Sequence, residues 1–126
     1  SKKASVLIET NDNEFKHHLD RYKYSKRYDN EDPIVHREKC LVFIDALEEQ
    51  LKISKFLHDE KVSALDISIL PFIRQFRIAD MNWFDSLNKP KIQSWLMNFL
   101  ESELFKGIMF KYEKWEESDE KVFFPN

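Results

Sequence analysis

The feature that most constrains the fold is a helix start followed by a proline within one apolar run. Ser63 can accept a hydrogen bond from the backbone N–H of Asp66, and the Asp66 carboxylate can accept one from the N–H of Ser63, as in a capping box. Val62, just before the cap, can pack on Ile67 as a hydrophobic staple. Pro71 cannot donate to the carbonyl of Ile67, so we expect a kink there. A helix that carries this cost is expected to be buried among its neighbours.

The composition predicts an all-α domain. The 126 residues include one Gly and four Pro, which is too little turn chemistry for a many-stranded sheet. The hydrophobic share of 42% argues against disorder. The formal net charge of −3 comes without a basic stripe, so we expect no nucleic-acid partner. The chain is long enough for one domain with its own core.

Cysteine content and hydropathy predict a cytoplasmic protein without membrane contact. Cys40 is the single cysteine, which excludes an internal disulfide framework and fits a reducing compartment. No apolar run approaches the roughly 18 residues that span a bilayer. The first residues lack the charged-then-apolar order of a signal segment.

Cap residues and apolar periodicity predict the helices that precede the proline-containing one. The cluster at residues 11–13 offers caps for a first helix that ends near Tyr24. Asp32 followed by Pro33 starts a second helix that runs to about Lys52. The predicted core stripes of these two helices are Phe15, Leu19 and Tyr22, then Ile34, Leu41, Ile44, Leu47 and Leu51.

Charge and turn chemistry predict the remaining surface and connections. Glu48 and Glu49 of the second helix are expected to face outward. Residues 80–87 form a short aromatic turn after the proline-containing helix, and Asn88 caps a helix that begins near Pro90.

No arrangement of residues predicts catalysis or metal binding by this chain. Adjacent His17 and His18 point to different helix faces, so they cannot form the i, i+4 pair of a helical zinc site. These two, with His36 and His58, are predicted to be solvated surface imidazoles. Cys40 has no CxxC partner and is predicted to be an inert, partly buried thiol. We therefore name no catalytic residue and no metal ligand.

The box and the aromatic pattern after it resemble the C-terminal helical domain of glutathione S-transferases, in a bacterial-type subgroup. Ser63 and Asp66 match the Ser/Thr-x-x-Asp box at the start of that family's central helix, and Pro71 matches a frequent proline. The similarity extends over residues 5–115. It implies an all-α bundle of about five helices around a buried, kinked core helix.

The resemblance also implies how the chain is divided. Residues 1–10 would be the remnant of a preceding domain or a linker, residues 11–115 the helical domain, and residues 116–126 a tail. In this family a thioredoxin-like N-terminal domain binds glutathione, and that domain is not visible in this sequence. We therefore expect the chain alone to be inactive, and the helical domain to form part of a homodimer interface in the intact protein.

A set of aromatic and cationic residues is the co-substrate wall that the resemblance implies. Such a wall would hold a small hydrophobic electrophile, because rings supply contact area and a few polar groups orient the ligand. Its members are Tyr22, Tyr24, Arg27 and Trp83. The alternative is that these side chains belong to the core or to an interface. For Arg74 and Asp80 we expect a structural role, as an internal ion pair.

Two functions from different classes follow. The first is the helical half of a glutathione S-transferase-like protein, with glutathione as a substrate of the intact protein only. The second is a non-catalytic scaffold, because domains similar to this one also serve as assembly modules. The aromatic share of 14% permits either.

Overall fold

The computed structural model describes residues 2–104, 106–108, 110–111 and 114, and this part of the chain contains helices and connections but no β-strand. The helices with defined bounds in this described part are α1 (Lys2–Thr10), α2 (Lys16–Lys23), α3 (Pro33–Ile53), α4 (Ala64–Ala79), α5 (Met81–Ser86) and α6 (Pro90–Leu100). A π-helical turn (Asn11–Phe15) joins α1 to α2, and a 3-10 turn (Ser25–Arg27) follows α2. The predicted all-α class is confirmed.

The first predicted helix start, at residues 11–13, is wrong. Thr10 and Lys16, on either side of the π-helical turn, have right-handed helical φ and ψ angles, so α1 runs into α2 without a break. Asn11 faces the interior and is only 2% exposed. The residues before it already form a helix, and continuing a helix adds a hydrogen bond per residue where a cap would end the ladder. Leu7 of α1 belongs to the core.

Helix α3 begins as predicted. The Asp32 carboxylate accepts a hydrogen bond from the backbone N–H of Ile34 (2.9 Å), and Pro33 occupies the first turn. The helix ends at Ile53, next to the predicted boundary. Of the predicted stripe, Ile34 is exposed, because it lies in the first turn beyond the edge of the core. The buried side chains of α3 are His36, Cys40, Phe43, Ile44, Leu47, Glu48, Gln50 and Leu51.

The prediction that Glu48 faces outward is wrong. Glu48 is 4% exposed, and its carboxylate accepts hydrogen bonds from the backbone N–H groups of Lys91 (3.1 Å) and Ile92 (2.8 Å). These are unpaired donors in the first turn of α6, where the helix dipole favours negative charge. Asn88 is not the cap, because the N-cap residue is Lys89, whose side chain makes no capping bond. Glu48, on helix α3, therefore supplies the hydrogen-bond acceptor that the sequence just before α6 lacks.

The predicted capping box at the start of α4 is present. Asp66 Oδ2 accepts hydrogen bonds from the backbone N–H of Ser63 (3.0 Å) and from its hydroxyl (2.9 Å). The other oxygen, Oδ1, accepts from the backbone N–H of Leu57 and from Trp95 Nε1, each at 2.9 Å. Asp66 is fully buried. One carboxylate thus joins the α3–α4 connection, the start of α4 and α6.

The other predicted features of the box region remain predictions. Val62 is exposed and Ile67 is half-buried, which leaves the staple untested. Pro71 is buried within α4, and the helix continues through it to Ala79.

Helix α4 contributes the largest share of the core, as expected of a central helix. Ile69, Leu70, Ile73 and Phe76 are fully buried on it. Helices α1, α2, α5 and α6 pack against α4. Among the described residues, no helix has the length and apolar character needed to cross a bilayer. The predicted tail, residues 116–126, lies outside the described residues.

Candidate functional site

Two of the four predicted wall residues meet in an aromatic cluster between α2, α4 and α5. The Tyr22 ring lies 5.6 Å from Phe76 and 6.4 Å from Trp83, and the Phe76 and Trp83 centroids are 5.6 Å apart. The Arg37 guanidinium covers the Trp83 ring, with its carbon 4.1 Å from the centroid. Phe76 is fully buried, while Tyr22 and Trp83 are half-buried.

Two polar atoms of this cluster are inaccessible to solvent. The Tyr22 hydroxyl oxygen and Arg37 Nε are both buried, and neither has a hydrogen-bond partner of good geometry within the described residues. Burial raises the pKa of Tyr22, and the nearby Arg37 charge opposes this only in part. Because the Tyr22 hydroxyl and Arg37 Nε are covered and Phe76 is fully buried, the cluster has the character of core packing more than of an open ligand wall.

The other two predicted wall residues form a separate pair. Arg27 covers the Tyr24 ring, with the guanidinium carbon 4.3 Å from the centroid. No ring contact within the described part of the chain links Tyr24 to Tyr22 or Trp83. Helix α2 ends at Lys23, Tyr24 is its C-cap residue, and Arg27 lies in the 3-10 turn that follows.

An ion pair that was not predicted lies at the end of α4. Arg77 makes a two-point contact with Asp85, from Nε to Oδ1 and from Nη2 to Oδ2, each at 2.9 Å. Asp80 is exposed and caps α5 by accepting from the backbone N–H of Trp83 (3.1 Å). Pairing between Asp80 and Arg74 remains a prediction.

A groove of about 290 Å³ lies between α3 and the continuous helix of α1, the π-helical turn and α2. We call it the α1–α3 groove; it is lined by Val6, Leu7, Thr10, Glu14, Phe15, His18, Lys39, Val42, Phe43 and Ala46. The rings of Phe15 and Phe43, 4.9 Å apart, are buried at its base. Val42 on its wall is 71% exposed. This groove was not predicted from the sequence, because it depends on α1 continuing through residues 11–13.

A histidine pair adjoins the groove. The Nδ1 atoms of His18 and His36 are 2.8 Å apart, and His36 Nε2 lies 3.2 Å from Glu31 Oε1. Arg21 Nε contacts the other oxygen of Glu31 at 3.1 Å. His17 and His58 are exposed as predicted. The prediction is wrong for His36, which is 6% exposed, and for His18, which is half-buried.

The burial of His36 could have been recognised from spacing. His36, Cys40 and Phe43 recur at i, i+4 and i+7, so they share one helix face, and the apolar pair indicates that this face is buried. Ile44, Glu48 and Leu51 have the same i, i+4 and i+7 spacing, so Glu48 also shares a helix face with two apolar residues. Polarity alone is therefore a poor guide on α3.

The charge states of the His18 imidazole and the Cys40 thiol follow from burial. Burial, followed by the charges of His17 and His36, lowers the pKa of His18 from 6.5 to about 4. Cys40 is fully buried where a partly buried thiol was predicted, and this burial raises its pKa to about 12. Within the described residues, no three His, Cys, Asp or Glu side chains converge as a metal-binding group.

Comparison with known proteins finds no matching family model, no similar curated protein and no similar solved structure.

Proposed function

We propose that this chain is the helical half of a glutathione S-transferase-like protein and that it forms the wall that binds a small apolar electrophile. A thioredoxin-like N-terminal domain would supply glutathione and stabilise its thiolate. The sulfur would form a bond to the electrophilic carbon as the leaving group departs with its electron pair. This chain would contribute shape and apolar contact, in a cytoplasmic homodimer.

The observation that carries the proposal is the α1–α3 groove. Ligand pockets are concave, mostly apolar and carry a few polar groups that orient the ligand. The groove has this character, with a base of Phe15 and Phe43 and with His18, Lys39 and Glu14 among its lining. A π-helical turn of the kind beside it is often found at functional sites. The groove therefore replaces the Tyr22–Trp83 cluster as our candidate wall.

A second observation supports the family part of the proposal. The Ser63–Asp66 box starts a helix that forms the centre of the core, as the resemblance requires. Asp66 is held from three sides, which indicates that the box organises the whole bundle.

Binding of a neutral apolar fluorophore, N-phenyl-1-naphthylamine, tests the groove. We expect Val42→Asp to weaken binding at least about tenfold, because the new carboxylate would have to be desolvated beside the ligand. Ile53→Asp is the matched control: Ile53 lies on the same helix and is 72% exposed against 71% for Val42, but it does not line the groove. Equal affinity of both variants would place the dye elsewhere and contradict the proposal.

The scaffold function is the alternative, and one observation favours it. Val42 and Ile53 are highly exposed apolar residues on α3, and Val6 and Val35 are also exposed. Exposed apolar side chains of this kind are typical of partner surfaces when they are contiguous. A scaffold does not need to bind the dye, so absence of dye binding by the unsubstituted chain would favour this alternative.

A further inference from the structure

His18 and His36 form a contact that the proposed function does not use. Their Nδ1 atoms are 2.8 Å apart, and the stacked rings have centroids 5.1 Å apart. Two ring nitrogens at this distance need one proton between them, because two bare lone pairs or two N–H groups would repel each other. The contact therefore restricts how many protons the pair can carry.

Glu31 determines which ring gives the shared proton. A carboxylate only accepts, so His36 keeps a proton on Nε2, which faces Glu31 Oε1 at 3.2 Å. In the neutral pair, His36 Nδ1 accepts and His18 Nδ1 donates. With one added proton, the cationic His36 ring donates from Nδ1 and His18 accepts. Both states retain the hydrogen bond between the rings.

A second added proton breaks the bond. Both rings would then be cations, and their Nδ1–H groups would point at each other. The low pKa of His18, about 4, agrees with this resistance to a second charge. Interacting sites of this kind release and take up protons as a pair.

The surrounding charges mostly oppose the second proton. His17 and Arg21 face the pair from α2, and Lys39 faces it from α3. Glu31, in the connection before α3, favours protonation but also pairs with Arg21. Glu14, in the π-helical turn, lines the groove together with His18. The Glu31 carboxylate therefore compensates the positive charge of the first added proton. Within the described residues, no second carboxylate contacts the pair to compensate the charge of the second proton.

We propose that His18 and His36 form an acid-sensitive latch between α2 and α3, closed while the pair holds at most one added proton and open when both rings are cationic. Because His18 also lines the α1–α3 groove, opening the latch loosens one wall of that groove. The latch stands on the ring contact itself. Its effect on ligand binding rests on the proposed function.

Imidazole nitrogen NMR on the full chain tests the latch. From neutral pH down to about pH 3.5, we expect His18 to take up its proton only near pH 4. In His36→Gln the opposing cation is removed, so the pKa of His18 should rise above about 4, while burial, the largest cause of its low value, keeps it below 6.5. His58→Gln removes an exposed imidazole elsewhere and should leave the titration of His18 unchanged. Protonation of His18 near pH 6.5 in the unsubstituted chain would overturn the latch, whether or not the variants fold.

Dye binding at two pH values tests the coupling between the latch and the groove. N-phenyl-1-naphthylamine remains neutral at both, so its own charge does not contribute. We expect its affinity to fall about twofold from neutral pH to pH 4 in the unsubstituted chain and in His58→Gln, because about half of the latches are open when the pH equals the pKa of His18. An affinity that does not change with pH would overturn the coupling. No binding at neutral pH would contradict the proposed function instead, and the NMR titration would still decide on the latch.

Discussion

Asp66 shows how much one residue can organise in this chain. Its carboxylate accepts two hydrogen bonds from Ser63, one from Leu57 and one from Trp95, with no exposure to solvent. A buried charge is tolerated when such bonds replace its hydration. The indole of Trp95 and the Leu57 amide would otherwise be buried donors without partners, which cost about 1–3 kcal/mol each. The residue is therefore a tertiary junction as well as a cap.

Replacing this carboxylate should destabilise the fold strongly. We expect Asp66→Asn to lower the free energy of unfolding by about 3 kcal/mol, because the new amide NH2 faces donors that it cannot satisfy. Asp85→Asn is the control, since Asp85 forms an ion pair at the surface, of a kind worth about 0–1 kcal/mol. Urea unfolding measures both. A difference of less than about 1 kcal/mol between the two variants would contradict the assigned role.

At the scale of elements, helix ends are satisfied across the bundle as well as locally. Asp32 caps α3 and Asp80 caps α5 from the adjacent sequence. Helix α6 begins with Lys89 and Pro90, which offer no acceptor, and Glu48 of α3 fills that role. The helix dipole stabilises an acidic side chain at a helix start by up to about 2 kcal/mol when the side chain is partly buried. The packing of α3 on α6 therefore depends on this carboxylate.

Neutralising Glu48 should weaken α6 specifically. We expect Glu48→Gln to lower the free energy of unfolding by about 1–2 kcal/mol and to speed amide hydrogen exchange in the first turn of α6. Glu49→Gln changes the neighbouring, exposed side chain, which pairs with Lys52 at the surface, and should cost less than about 0.5 kcal/mol. Exchange in α6 that is equally slow in both variants would show that Glu48 is not needed there.

At the scale of the whole molecule, the six helices bury one continuous core but leave apolar side chains on the outer faces of α1 and α3. The groove between these helices lies next to that exposed surface. In the proposed intact protein, the glutathione-binding half would contribute the remaining part of the ligand site. We therefore expect this chain to bind the apolar ligand without binding glutathione.

Calorimetric titration with glutathione should show this separation. We expect no binding to this chain, because the described residues include no βαβ unit, the element that the resemblance assigns to glutathione binding. The longest product of the same reading frame should bind it. Binding by neither protein would favour the scaffold function, and tight binding by this chain alone would show that the division into two halves is wrong.

The sequence by itself determined the local features of this protein. The all-α class, the Asp32 start of α3, the Ser63–Asp66 box and the buried α4 were predicted, because each depends on residues within a few positions of one another. The end of α2 near Tyr24 was also predicted, but the pairing of Tyr24 with Arg27 and of Tyr22 with Phe76 was not. A helix stripe identifies the buried face, but not which neighbour covers it.

The tertiary structure decided every contact between distant segments. Glu48 meets Ile92 across 44 positions, Trp95 meets Asp66 across 29, and His36 meets His18 across 18. The π-helical turn also belongs here, because Asn11 is buried by neighbouring helices and local capping preference alone predicted a helix start. Local preferences are worth about 1 kcal/mol and are overridden when packing supplies more. The candidate groove and the histidine latch are consequences of that packing.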